Sequence, residues 1–153
     1  MAWEVAVNQP YLRLMAALGI SLVLMFLLTM SLIFTIDHFH INLSNFYMAL
    51  MMVAPMGVVM VLVMWGMFKD RRLNVVLLVA FVAMFAASFA LGRASTFIGD
   101  EQFLRSMIPH HSRAILLCER ASITDPRIVE LCDAIVETQR EEITQMEQLL
   151  RER

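Results

Sequence analysis

LMAALGISLVLMFLLTMSLIFTI, residues 14–36, runs for 23 residues without a charged side chain. Two more such runs follow, Phe46–Phe68 with 23 residues and Leu73–Leu91 with 19. About 20 apolar residues suffice to cross the hydrocarbon of a bilayer as a helix. A bilayer offers no water to unpaired backbone groups, so runs of this kind must be helical. The first run is about twice as long as a signal-peptide apolar region, and no Lys or Arg precedes Arg13. It reads as a retained span.

The rest of the composition agrees. The chain is 59% hydrophobic and 17% charged, and its mean hydropathy is +0.68. That is too apolar for a soluble domain of 153 residues. A formal net charge of -2 offers no basic surface for nucleic acid. The partner that composition implies is membrane lipid. Lys69, Arg71 and Arg72 sit in the short link between the second and third runs, while the link Asp37–Asn45 carries no Lys or Arg. Basic residues near span ends stay on the cytoplasmic side. This bias, which Arg13 supports and Arg93 and Arg105 oppose, places the carboxyl-terminal segment outside. All four His and both Cys then lie on one, oxidising side, in a multi-pass protein of a bacterial inner membrane with a periplasmic carboxyl-terminal domain.

Within the spans, Met48, Met52, Met56, Met60 and Met64 step by four residues. Thioethers are soft ligands, but Met also fills irregular gaps between helices, and gap filling is the simpler reading. Pro55 and Gly57 predict a kink in this span. Ala83, Ala87 and Ala86, Ala90 have the spacing of closely packed helices. His38 and His40 flank Phe39 in the outer link, where they could share an ion or simply furnish interfacial polarity.

After Gly92 the pattern changes, which divides the chain into a three-span domain, residues 1–92, and a helical-hairpin domain, residues 93–153. Asp100 is a candidate N-cap for a helix running to about Ser122. Asp125 caps a second helix, with Pro126 at its first position. Eleven Asp/Glu against seven Lys/Arg between Gly99 and Arg153 make this domain acidic. In the second helix Ile128, Cys132, Ile135, Gln139, Glu142, Met146 and Leu149 form a heptad seam. In the first, Leu104, Met107, His111, Ala114 and Cys118 recur at similar spacing.

Folding the helices antiparallel about Asp125 sets Cys118 against Cys132, His111 against Gln139 and Leu104 against Met146. One register thus aligns polar with polar and leaves Met107, His110, His111, Gln139, Glu142 and Met146 around one pocket. Facing helices commonly build metal sites in this way. Pro109 leaves the Arg105 carbonyl without its usual helical donor and bends the helix just before the His pair. A His111 hydrogen-bonded to Gln139 or Glu142 would equally well fix helix register with no metal. Cys118 and Cys132 are either a disulfide or two small apolar seam residues. A two-helix hairpin of about 55 residues buries too little apolar surface alone, so a homodimer with a four-helix bundle is expected.

The stretch Asp100-Glu-Gln-Phe103-Leu-Arg-Ser-Met107-Ile108-Pro109-His110-His111 resembles the domain-of-unknown-function three-hundred-five family. Gln139-Arg-Glu-Glu142-Ile143-Thr-Gln-Met146 matches a second signature of that family, and Asn45-Phe46-Tyr47-Met48 resembles its membrane-bound branch. The resemblance implies a ferritin-like helical fold and, as in some members, periplasmic binding of copper or silver through Met and His. Its metal ligands would be Met107, His110, His111 and Met146, with Gln139 and Glu142 orienting them. Arg113 departs from the small or acidic residue expected after the His pair.

Two functional classes follow. One is a membrane-tethered chaperone or buffer for Cu(I) or silver, working beside a metal-handling membrane protein and needing no organic cofactor. The other is a dimerisation or docking module whose polar layer only sets register. An enzyme is not expected, because no nucleophile–base set, phosphate loop or metalloprotease motif is present.

Overall fold

The computed structural model describes the backbone of residues 2–153 and the side chains of residues 9–153. Among the described residues the fold is all-helical: α1 Ala2–Thr29, α2 Leu43–Val63, α3 Arg71–Arg93, α4 Asp100–Arg120 and α5 Pro126–Arg151, with a short 3-10 turn at Ile36–His38. Gln9–Thr29 of α1, all of α2 and all of α3 are long and apolar enough to cross a membrane. The chain forms two compact units, one through Leu27 together with Phe46–Thr96, the other Leu28–Asn45 together with Phe97–Arg153. The link between the first two spans therefore belongs with the carboxyl-terminal helices.

That assignment explains why the apolar run 14–36 is not helical throughout. α1 ends at Thr29, and Met30 beyond it is 1% exposed. Phe34 packs on the core of the second unit. Met30 and Phe34 are apolar because they cover protein, so hydropathy alone runs past the helix end.

In the first unit Tyr11, Leu14, Leu18, Val53, Val61, Phe68 and Phe81 form the core. The Tyr11 hydroxyl donates to Asn74 Oδ1 at 2.8 Å and accepts from the Asp70 N–H at 3.2 Å. Asn74, wholly buried, in turn donates to the Phe68 carbonyl at 3.0 Å. α1 is thereby tied to the basic link by a closed polar set, which a buried amide requires. α2 holds Pro55 inside its length, and the Phe81 ring lies against Gly57 so closely that a Cβ there would come within 2.9 Å of it. The close helix approach is thus made by Gly57, while Ala83, Ala86, Ala87 and Ala90 are exposed. Each four-residue step turns a helical side chain by about 40°. Met56, Met60 and Met64 accordingly pack on the core, and Met48 and Met52 face out.

In the second unit α4 and α5 run antiparallel, joined by the Cys118–Cys132 disulfide at one end (Cα atoms 5.4 Å apart) and by Arg153–Asp100 at 2.7 Å at the other. Asp125 caps α5, its Oδ1 accepting from the Arg127 N–H at 3.0 Å, with Pro126 first in the helix. α4 differs from expectation at its start: Gly99 is the N-cap and Asp100 the first helical residue. The Asp100 carboxylate still sits where the helix dipole favours a negative charge.

Leu104, Ile108, Ile115, Ile143 and Met146 form the core, with Phe34, Met107, Val136 and Leu150 packed on it. The seam in α5 therefore lies on Val136, Ile143, Met146 and Leu150, and Ile128 and Leu149 are 47% and 43% exposed. A two-helix seam has one contact line; α4 has two, because the link covers its second side. Ser112, wholly buried, lies on that second line, where its Oγ accepts from the Phe34 N–H at 2.7 Å.

The link is anchored at its far end by Asn42, 2% exposed. Its Oδ1 accepts from the Asn45 N–H at 2.9 Å, which caps α2. Its Nδ2 donates to the His40 carbonyl at 3.0 Å and reaches the Arg105 carbonyl at 3.5 Å. The latter is the carbonyl that Pro109 deprives of a helical donor. Gln102 Oε1 accepts from the Leu43 N–H at 2.8 Å. Asn42→Ala should therefore destabilise the unit by about 2–4 kcal/mol, roughly 1 from the cap and 1–3 from the unpaired carbonyl. Asn42→Asp, which keeps the capping oxygen but cannot donate, should recover only the first part. Denaturant unfolding of the detergent-purified protein measures both, and a loss below about 0.5 kcal/mol for Asn42→Ala would contradict this account.

Candidate functional site

The polar layer expected between α4 and α5 centres on His111, 9% exposed. Its Nδ1 lies 2.8 Å from the Met107 carbonyl oxygen and its Nε2 lies 2.9 Å from Glu142 Oε2. A carbonyl only accepts, so Nδ1 carries a hydrogen towards Met107, while Nε2 faces the Glu142 carboxylate. Gln139 Nε2 donates to the same Glu142 oxygen at 3.2 Å. His111, Glu142 and Gln139 are thus one connected group. The pairing is one turn displaced from the direct His111–Gln139 contact, in keeping with the shifted seam of α5.

Met146 is buried in the core and Met107 is packed on it, so the unit that holds His111 carries a thioether on each helix. His110 is exposed; its ring stands edge-on to that of His111 with centroids 5.8 Å apart. The two imidazoles are therefore splayed, and His111 alone of the pair enters the seam. Arg113 is exposed, so its guanidinium stays out of the layer. Among the described residues no three His, Cys, Asp or Glu side chains converge as metal ligands. A metal at this layer would need sulfur in its ligand set. The donors present fit a soft ion: an imidazole whose other nitrogen is fixed on a carbonyl is the usual state of a ligating His, and thioethers complete a soft set.

A second polar chain joins the link to the helices. His38 Nδ1 lies 2.8 Å from Ser112 Oγ, and its Nε2 lies 3.8 Å from Glu147 Oε1. With Oγ already accepting from Phe34, the hydroxyl hydrogen is free to donate to Nδ1, and Nε2–H then faces Glu147. The order Ser–His–Glu has the elements of a nucleophilic triad, and its Ser112 is wholly buried. His40 Nε2 is buried without a hydrogen-bond partner. Burial holds His40 below the ordinary 6.5, Arg105 and His38 add to the effect, and Glu147 opposes it.

Residues 83–150 match the family described as Domain of unknown function (DUF305). An uncharacterized protein of Acanthamoeba polyphaga mimivirus is 32% identical over 121 residues, 78% of each chain. The chain belongs to the DUF305 family. The aligned stretch is too long to lie within 83–150, so likeness to this relative extends into the helices that are long and apolar enough to cross a membrane. No solved structure matches the chain.

All of Met107, His111, Gln139, Glu142 and Met146 therefore fall inside the DUF305 segment, whereas His38, His40 and Asn42 fall outside it. Of these three, the sequence pattern drew attention to His38 and His40 but passed over Asn42, which anchors the link. The signal for Asn42 is present in Pro109: a freed carbonyl in a buried helix requires a donor from elsewhere.

Proposed function

We propose that the α4–α5 hairpin, a ferritin-like half bundle, binds Cu(I) or Ag(I) as a membrane-tethered chaperone or buffer. The observation that carries this reading is the anchored imidazole of His111 in a core with a thioether on each helix. Met107, His111 and Met146 would hold the ion, with Glu142 and Gln139 at the outer side of the imidazole. Binding at Nε2 would replace the contact of that nitrogen with Glu142. Soft selectivity follows from sulfur, since imidazole and carboxylate alone would suit Cu(II) or zinc.

The proposed location is the periplasmic face of a bacterial inner membrane. Lys69, Arg71 and Arg72 favour the cytoplasm, and three spans put the link Leu28–Asn45 and the hairpin together on the other side. Their packing in one unit supports that count, and the disulfide suits an oxidising compartment. A second reading has its own support. His111, Glu142 and Gln139 already satisfy one another, and Leu117, Ile128 and Leu131 are 67%, 47% and 57% exposed. A docking module would use that apolar tip on a second copy or on a metal-handling membrane protein.

The deciding experiment is Ag(I) titration of the detergent-purified protein alongside thermal unfolding. Met107→Leu with Met146→Leu keeps volume and should cost under about 1.5 kcal/mol while lowering Ag(I) affinity at least tenfold. Glu142→Gln should weaken binding by roughly tenfold. Unchanged affinity in the double Leu variant, with His111→Ala lowering only stability, would establish the docking reading. Sidedness is measured separately: a cysteine placed beside Arg153 should react with an impermeant maleimide in sealed cells, and reaction only after lysis would reverse the orientation.

A further inference from the structure

We propose that the second unit binds a phosphoethanolamine-type zwitterion, a phosphodiester carrying a primary ammonium, in a cavity between the link, the start of α4 and the end of α5. The cavity has a volume of about 600 Å³, within the ordinary range of ligand pockets. Its walls carry both signs of charge, Asp37, Glu101 and Glu147 against Arg105, Arg151 and Arg153, with His40 among them.

The wall groups differ in how far they are already used. Arg105 is held by Glu101 at 2.8 Å and Arg153 by Asp100 at 2.7 Å. A guanidinium has five N–H donors, so both keep donors for an anion. Asp37 forms no ion pair among the described residues, and Glu147 has only loose contacts, 3.8 Å to His38 Nε2 and 3.8 Å to Arg151. Those two carboxylates can accept from an ammonium. The buried, unpartnered Nε2 of His40 adds a polar atom that lacks its hydrogen bond, and such groups ordinarily find a partner. Burial and Arg105 keep this imidazole neutral, so it does not repel a cation.

Charge excludes simpler ligands. Three guanidiniums oppose a bare metal ion, and no three metal-ligating side chains converge among the described residues. The carboxylates oppose a simple anion. A ligand with separated charges meets both. His40 stands three residues before α2 begins at Leu43, a stretch that spans at most about 10 Å. The headgroup layer is therefore within reach, and phosphatidylethanolamine carries this chemistry there.

Native mass spectrometry of the full-length protein, equilibrated in detergent with equal amounts of phosphatidylethanolamine, phosphatidylcholine and phosphatidylglycerol, tests the proposal. Phosphatidylethanolamine should be retained about tenfold over the other two, the effect of charge-assisted hydrogen bonds that a trimethylated or absent ammonium cannot make. Asp37→Asn with Glu147→Gln should reduce that preference to within about twofold. Asp37→Asn alone, at a residue with no partner to lose, should already reduce it in a protein of unaltered circular dichroism. Calorimetry with soluble glycerophosphoethanolamine on delipidated protein separates the sources. Heat matching the lipid's affinity points to a free ligand, and heat seen only with the lipid points to the membrane; either supports the chemistry. Equal retention of the three lipids with no heat would overturn it, as would full preference in the double variant.

Discussion

Pro109 has no N–H, and a carbonyl four residues before it in a buried helix must find its hydrogen elsewhere. The second unit is organised around that requirement. The donor is Asn42, from the link between the first two spans, whose amide reaches the Arg105 carbonyl while its oxygen caps α2. Two turns beyond that carbonyl, Ser112 receives the Phe34 N–H and bonds His38. Two polar points, seven residues apart on α4, hold a segment that is distant in sequence. Each bond alone contributes only about 1 kcal/mol, but leaving its buried partner unmade costs about 1–3, so the link is held chiefly by what its departure would expose.

This arrangement changes what the antiparallel pair can do. Two helices of this length bury little apolar area by themselves. Met30 and Phe34 add a third layer, and the disulfide closes a 14-residue separation, which restricts the unfolded chain by about 3 kcal/mol in the loop-entropy account. A core held from both sides keeps His111 in one rotamer, with one nitrogen on a backbone carbonyl and the other on Glu142. Placing a single imidazole so firmly serves a ligand and a register lock equally well. What differs between the two roles is the sulfur on either helix, which a lock does not need.

The spans were legible in the sequence because lipid imposes a length and a polarity that few other environments demand. The Cys118–Cys132 register and the cap at Asp125 were legible because each depends on neighbours along one helix pair. Three features were not. The end of α1 at Thr29 is invisible to hydropathy, since Leu32, Ile33 and Phe34 are as apolar as the span. The displaced seam of α5 follows from a second contact line on α4, which heptad counting has no means to represent. His40 and Ser112 acquire their surroundings only when residues about 70 positions apart meet. In the polar layer the spacing identified His111, Gln139 and Glu142 as one group, but not which pairs bond, because a shift of about one turn along α5 exchanges Gln139 for Glu142 opposite the imidazole.

The central claim is that Leu28–Asn45 and the α4–α5 pair fold as one cooperative unit. Native-state hydrogen exchange of the full-length protein in detergent tests it most directly, because amides in one cooperative unit open with one free energy. The account predicts that the Phe34 and Leu43 amides, which donate to Ser112 and Gln102, exchange with the same protection as the buried amides of α4 around Ile108 and Ile115. Exchange of Phe34 and Leu43 near the unfolded rate, while α4 and α5 remain protected, would contradict it.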